Sequence, residues 1–195
     1  MANYVAYVNR IEQGNIWLIV CCVLYLIWWT VAFNPTRKAP MAPKVILFIF
    51  TLLAGCIGVL YLLQGSGVLP KTRGSISSLQ LIIAGVVAYV VLLLLSYFLL
   101  HRQVTTELFL IVGWTILQLC VLNSLYRAEI MGSAPAIISS IIIVVAAIIG
   151  MLCYLAYYEL ESMKAFYDGM IPLILFAVVM IYEIIVIWFC MRSKI

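Results

Sequence analysis

The chain has 195 residues, of which 67% are hydrophobic and only 9% are charged, with a formal net charge of +4 and a mean hydropathy of +1.23. An ordinary soluble domain is about half apolar and about a quarter charged, so this composition excludes that class. It predicts an integral membrane protein whose partner is the lipid bilayer, and no nucleic-acid partner is expected.

The first 15 residues, "MANYVAYVNRIEQGN", contain no basic region followed by an apolar stretch and a small-residue cleavage site. They therefore do not resemble a cleaved signal peptide. Their mixed polar and apolar pattern instead favours an amphipathic segment at the membrane interface. We expect residues 1–15 to form an interfacial N-terminal segment that precedes the first span.

Six continuous apolar segments follow, each near the roughly 20 residues that a helix needs to cross a bilayer. They cover about 16–33, 43–63, 79–100, 108–126, 135–156 and 171–190. Strands are excluded, because a transmembrane barrel shows short alternating segments rather than unbroken apolar runs. The predicted fold class is all-α and polytopic with six transmembrane helices, joined by loops too short to form a soluble domain.

The chain also contains an internal repeat. With a shift of 92 residues, the segment 41–63 aligns without gaps on 133–155, and nine of the 23 aligned positions are identical. The flanking helices follow the same shift. Pro43 repeats as Pro135, and a proline at the start of a helix costs nothing because its missing N–H would be unpaired there. These matches indicate a duplication.

Small residues are preserved by the repeat. Ala54 and Gly58 of the second helix recur as Ala146 and Gly150 of the fifth. A small-xxx-small pattern allows helix backbones to approach closely inside a membrane. We therefore predict that these four residues are helix-packing positions, and that helices two and five meet through them.

Each copy of the repeat contains three spans, so the second copy enters the membrane from the opposite side. The pattern predicts an inverted repeat of residues 16–100 and residues 108–192 within one membrane domain. Lys and Arg are almost evenly divided between the two faces, which determines orientation poorly. Our expectation is that both termini are cytoplasmic and that the membrane is a cell membrane or an organelle inner membrane.

One carboxylate interrupts the last apolar segment, "FAVVMIYEIIVIWF", at residues 176–189. Glu183 would lie about 18 Å from the start of this helix, inside a hydrocarbon layer about 30 Å thick. A charge there costs at least ~2.5 kcal/mol, so the group is protonated or has water or a partner nearby. Three readings stay open: a proton- or cation-binding group, with Tyr182 beside it, a hydrogen bond between helices, or a contact with another protein.

The fourth helix carries further polar side chains. At 100° per residue, Thr115, Gln118, Leu122 and Tyr126 share one arc, and Asn123 lies at its margin. Polar groups within a span face protein or water rather than lipid. Interhelical hydrogen bonding explains them, and so does the lining of a solute path. We include Gln118, Asn123 and Thr115 with Glu183 as candidate transport residues.

The sequence offers little to a metal, a cofactor or an enzyme. It has a single histidine, His101, and its six cysteines lie inside predicted spans without a CxxC pair. Haem and metal sites need ligands grouped together. Three acids, Glu159, Glu161 and Asp168, share a loop with Lys164, where a short solvated helix with local ion pairs is expected. Accordingly, no cofactor, no metal and no catalytic residue is predicted.

Two candidate functions are compatible with the sequence. The first is a small-solute or ion transporter or channel, proton-linked through Glu183. The second is a non-catalytic membrane subunit or assembly factor of a larger membrane complex. Homo-oligomers and larger complexes are both compatible with so small a bundle.

Overall fold

A computed structural model describes residues 2–35, 40–74, 76–98, 101 and 106–193. Within these residues the chain forms seven helices, and six of them are long and apolar enough to cross a membrane. This confirms the predicted all-α class with six candidate spans. The helices are α1 (Ala2–Ala32), α2 (Met41–Val68), α3 (Ser78–Phe98), α4 (Thr106–Arg127), α5 (Ser133–Tyr157), the short α6 (Ser162–Asp168) and α7 (Ile171–Arg192).

Prolines mark the start of three of these helices. Pro43 is the third residue of α2, Pro135 is the third residue of α5, and Pro172 is the second residue of α7. The first four N–H groups of a helix have no acceptor within it. A proline anywhere in the first turn therefore removes no intrahelical hydrogen bond. The repeated proline can thus mark the start of a helix when it is the third residue, just as it can when it is the first.

The first two helices form a closely packed antiparallel pair. A Cβ atom added to Gly65 would stand 2.9 Å from the carbonyl oxygen of Tyr7, and one added to Gly58 would stand 3.0 Å from the carbonyl oxygen of Gly14. Ala54 is buried in the same helix. Both oxygens are backbone atoms, so the two helices are in close backbone contact. The small side chains between the helices allow this close approach.

The corresponding small residues of α5 accommodate an aromatic stack instead. Ala146 and Gly150 are buried, and a Cβ on Gly150 would stand 3.3 Å from the ring of Phe176 in α7. That ring lies parallel to the indole of Trp114 in α4, with centroids 4.1 Å apart and an interplanar angle of 14°. Gly150 therefore provides space for the packing of α4, α5 and α7.

The expectation that helices two and five meet through their small residues is wrong. Among the described residues, α2 packs mainly against α1 and also against α4, whereas α5 packs against α4, α6 and α7. The physical reason is the shape complementarity between the surfaces of the packed helices. The glycines of α2 fit against the backbone of α1, while the small positions of α5 are filled by an aromatic ring.

The N-terminal segment is continuous with the first span. Helix α1 begins at Ala2, and Val8 and Ile11 are buried, with Ile11 against Gly65 near the end of α2. Residue 16 is therefore not a structural boundary, because the packing face of α1 continues through it. The interfacial location of this segment stays a prediction.

The remaining helices are attached less extensively. Helix α3 packs against α4, where a Cβ on Gly85 would come within 2.3 Å of the Ile116 side chain. Helix α6 lies near the end of α1, and the indole Nε1 of Trp29 donates a hydrogen bond to the Phe166 carbonyl oxygen at 3.0 Å. The predicted short helix in this loop is confirmed.

Local ion pairing in the α6 loop is also confirmed. The Nζ atom of Lys164 lies 3.5 Å from an Oε2 atom of Glu161, and both side chains are exposed. An exposed pair three residues apart adds little to stability, so this loop is positioned by its packing against α5 and α7 and by its hydrogen bond from Trp29.

Candidate functional site

Three polar side chains meet inside the bundle, which we call the central polar cluster: Asn15, Gln118 and Glu183. Their exposed fractions are 0%, 0% and 1%. The Gln118 Nε2 atom donates a hydrogen bond to Asn15 Oδ1 at 3.0 Å. The Asn15 side chain also lies near the Glu183 carboxyl group, but no hydrogen bond of good geometry joins the Asn15 Nδ2 atom to it. Asn15 thus stands between the other two residues.

The helices bring these residues to a similar depth. Gln118 and Glu183 are each the thirteenth residue of their helix, α4 and α7, so each lies about 18 Å along it. Asn15 comes from α1, which packs against α7. One member of the cluster therefore belongs to the first three spans and two belong to the last three.

The hydrogen bonding of the cluster is incomplete. Among the described residues, Asn15 Nδ2, Gln118 Oε1 and Glu183 Oε1 are buried without a well-formed hydrogen bond. One of these atoms is a donor and two are acceptors when Glu183 is ionised. A buried polar atom without a partner costs about 1–3 kcal/mol. Because the Asn15 amide nitrogen carries two N–H groups, donors are not lacking in number, and the cluster is left incomplete by its geometry. A proton on Glu183 would add a further donor and remove the buried charge.

Two other predicted residues are bonded elsewhere. The Thr115 hydroxyl donates to the Ile111 carbonyl oxygen of its own helix at 2.7 Å. The Asn123 Nδ2 atom donates to the Ile76 carbonyl oxygen at 2.8 Å, so it fixes the connection before α3. Tyr182 is half-buried. The structure brings Gln118 and Glu183 together around Asn15, whereas Thr115 and Asn123 donate these hydrogen bonds to backbone carbonyl groups.

Sequence reasoning missed Asn15, because it was placed in the interfacial segment. The sequence did contain a pattern that could have identified this residue. Buried residues of α1 follow a heptad spacing that starts before residue 15 and continues through the span, at Val8, Ile11, Asn15, Leu18, Cys22 and Trp29. A pattern that repeats every seven residues indicates one packed helix face. Extending that pattern toward the N-terminus would have placed Asn15 on it.

No group of three or more His, Cys, Asp or Glu side chains among the described residues comes together in an arrangement that could hold a metal ion. The central polar cluster combines two amides with one carboxyl group. Its chemistry is therefore hydrogen bonding and the gain or loss of one charge.

The composition and six candidate spans define the class of a helical multi-pass membrane protein. No protein-family model matches the chain, and neither a curated protein nor a solved structure matches it. Function must therefore be argued from the central polar cluster itself.

Proposed function

We propose that the protein is a small-solute or ion transporter or channel in which Glu183 is a proton- or cation-responsive group. The observation that carries this proposal is the central polar cluster, in which a buried carboxyl group lies beside Asn15, and Asn15 accepts a hydrogen bond from Gln118. Ionisable residues inside membrane spans commonly mark ion pathways and proton relays.

The charge state of Glu183 would change the bonding of the cluster. An ionised carboxylate only accepts hydrogen bonds, whereas a protonated one also donates. Because Glu183 Oε1 and Gln118 Oε1 are both buried without a hydrogen bond, protonation removes a buried charge and supplies an O–H donor inside the cluster. A bound cation would also offset the buried charge. Either event alters the contact between Asn15 of α1 and the residues of α4 and α7.

The predicted inverted repeat is part of the same proposal. The shift of 92 residues pairs α1 with α4, α2 with α5, and α3 with α7. Helix α1 packs against α2 and α7, and α4 packs against α5 and α3, so these contacts correspond under the repeat. The copies differ elsewhere, since α5 packs against α7 whereas α2 makes no comparable contact with α3 in the described residues. Related halves with a binding group between them are found in many transporters.

The decisive experiment is flux through the purified protein in liposomes, measured over a range of pH for the wild type and for Glu183→Gln. The amide has the shape of the carboxyl group but does not titrate, so the variant should lose the pH dependence of flux. Glu161→Gln, on an exposed side chain of the α6 loop, is the matched control and should retain it. Identical pH-dependent flux in the wild type and Glu183→Gln would remove Glu183 from the mechanism.

A second candidate function is a non-catalytic membrane subunit or assembly factor. It is favoured by α3, which packs against α4 and in which Gly85 and Ser96 are the buried residues. Most of this helix therefore faces outward, where the helix of another protein could pack. Stoichiometric copurification with a larger complex, together with no flux from the protein reconstituted alone, would favour this function over transport.

A further inference from the structure

A cleft of about 440 Å³ opens between the start of α3, the second half of α4 and the start of α5. Its walls include Leu119, Leu122 and Ile137, while Tyr126 and Ser133 are among the residues that give it a polar end. The volume falls within the roughly 300–1,000 Å³ range of small-molecule sites. The cleft is separate from the central polar cluster, none of whose residues lines it.

The polar end of the cleft lies at the face of the bundle that carries both termini, because six spans return the chain to the side where it started. Two connections meet there, residues 69–77 and residues 128–132. The backbone N–H groups of Thr72 and Arg73 both donate to the Arg127 carbonyl oxygen at 3.0 Å, and the Thr72 hydroxyl donates to it at 2.8 Å. These bonds fix the first connection against the end of α4.

A cation is held directly beside the cleft. The guanidinium carbon of Arg73 lies 5.3 Å from the centre of the Tyr126 ring, and that ring lines the cleft. Arg73 pairs with Glu129, whose Oε1 atom is 3.9 Å from Arg73 Nε, and the two side chains are 41% and 52% exposed. An ion pair at that distance in solvent is weak, so Arg73 can still bind another anion.

The same region has an excess of positive charge. Lys71, Arg73 and Arg127 lie on these connections or at the end of α4, against the single acid Glu129. The Nε atom of Arg127 is buried and has no hydrogen-bond partner among the described residues. Guanidinium groups bind phosphate oxygens with charge-assisted hydrogen bonds. The cleft therefore has apolar walls and a polar mouth, and Arg73 lies beside that mouth over the Tyr126 ring.

We propose that this cleft binds an anionic phospholipid, with an acyl chain along the apolar walls and the phosphate group at Arg73 and Arg127. A water-soluble phosphate would leave the exposed side chains of Ile137 and Ile141, which line the cleft, without a partner. A zwitterionic lipid would leave the excess of positive charge uncompensated. The anionic phospholipid matches both parts of the site, since basic groups at a membrane surface attract anionic lipids.

Native mass spectrometry of the protein from nanodiscs tests this proposal. The nanodiscs contain equal amounts of phosphatidylglycerol and phosphatidylcholine with the same acyl chains. The wild type should retain phosphatidylglycerol preferentially. Arg73→Gln should reduce that preference about fivefold, because it removes a basic residue at the mouth of the cleft and the attraction of such a residue for an anionic lipid falls off within a Debye length.

Arg192→Gln is the matched control. Arg192 also lies over an aromatic ring, 5.2 Å from the centre of Trp188, and it is in the last turn of α7 on the same face of the bundle. This variant should retain the wild-type preference. Equal loss in both arginine variants would show a general surface-charge effect and would overturn the proposal.

A variant of the apolar wall separates lipid binding from phosphate binding. Ala136→Leu narrows the cleft while leaving every charge in place, and it should lower retention of phosphatidylglycerol as well. Wild-type retention in this variant would overturn the placement of the acyl chain. Equal retention of the two lipids by the wild type would overturn the proposal as a whole, as would unchanged lipid preference in Arg73→Gln.

Discussion

Replacing Gly65 by alanine would place a methyl group where α1 leaves no room for it. The new Cβ atom would lie 2.7 Å from the Ile11 Cγ1 atom, 2.9 Å from the Tyr7 carbonyl oxygen and 3.1 Å from the Ile11 backbone nitrogen. A side-chain atom can rotate away, but the two backbone atoms can move only if α1 and α2 separate. The interface between these helices would therefore have to shift.

Two opposing terms determine the size of the effect. Alanine has a higher helix propensity than glycine by about 1 kcal/mol. Overpacking a close contact costs typically about 1–3 kcal/mol. The same helix offers a control that separates the terms, because a Cβ on Gly67 would meet no atom within 4 Å. Gly67→Ala changes the helix propensity alone. The difference in the free energy of unfolding between the two variants should therefore equal the steric cost, about 1–3 kcal/mol.

The measurement is the free energy of unfolding of both variants and the wild type, in the same detergent or bicelle preparation. Gly65→Ala should unfold more readily than Gly67→Ala by that difference. Equal stability of the two alanine variants would refute the reasoning, because it would show that α1 and α2 are not in backbone contact at Gly65.

Two further predictions concern other parts of the fold. Trp29→Phe removes the hydrogen bond to the Phe166 carbonyl oxygen. It should lower the free energy of unfolding by about 1 kcal/mol and accelerate amide hydrogen exchange in α6. The control Trp28→Phe keeps its aromatic contacts and should change the stability and the exchange rate less. Single cysteines at Gly74 and Glu161, in a cysteine-free background, should react with a membrane-impermeant thiol reagent from opposite sides, because three spans separate them. Labelling from the same side would contradict the count of six spans.

The number and order of the spans were predictable from sequence. Each span is a long apolar run, and backbone polar groups in a bilayer must be satisfied within the helix, so hydropathy and length suffice to find it. The depth of Glu183 followed directly, since position along a helix converts to distance at 1.5 Å per residue. Its side chain is 1% exposed within the bundle, which depth along the helix does not by itself determine.

The partners of these helices were less predictable. Ala54 and Gly58 have the spacing of a packing face, but the pattern does not say which helix fills it. The small face of α2 meets the backbone of α1, and Gly150 of α5 accommodates the ring of Phe176. Such choices depend on shape complementarity between surfaces that are distant in sequence.

The central polar cluster shows most clearly which features could be predicted from the sequence and which could not. The sequence by itself determined that an acid at residue 183 lies deep in an apolar helix, and that Gln118 lies deep in another. Only the tertiary structure decided that Asn15 stands between them, because that contact joins α1 to α4 across 103 positions of the chain. Hydropathy depends on neighbours along a helix, whereas a hydrogen bond between helices depends on how they pack.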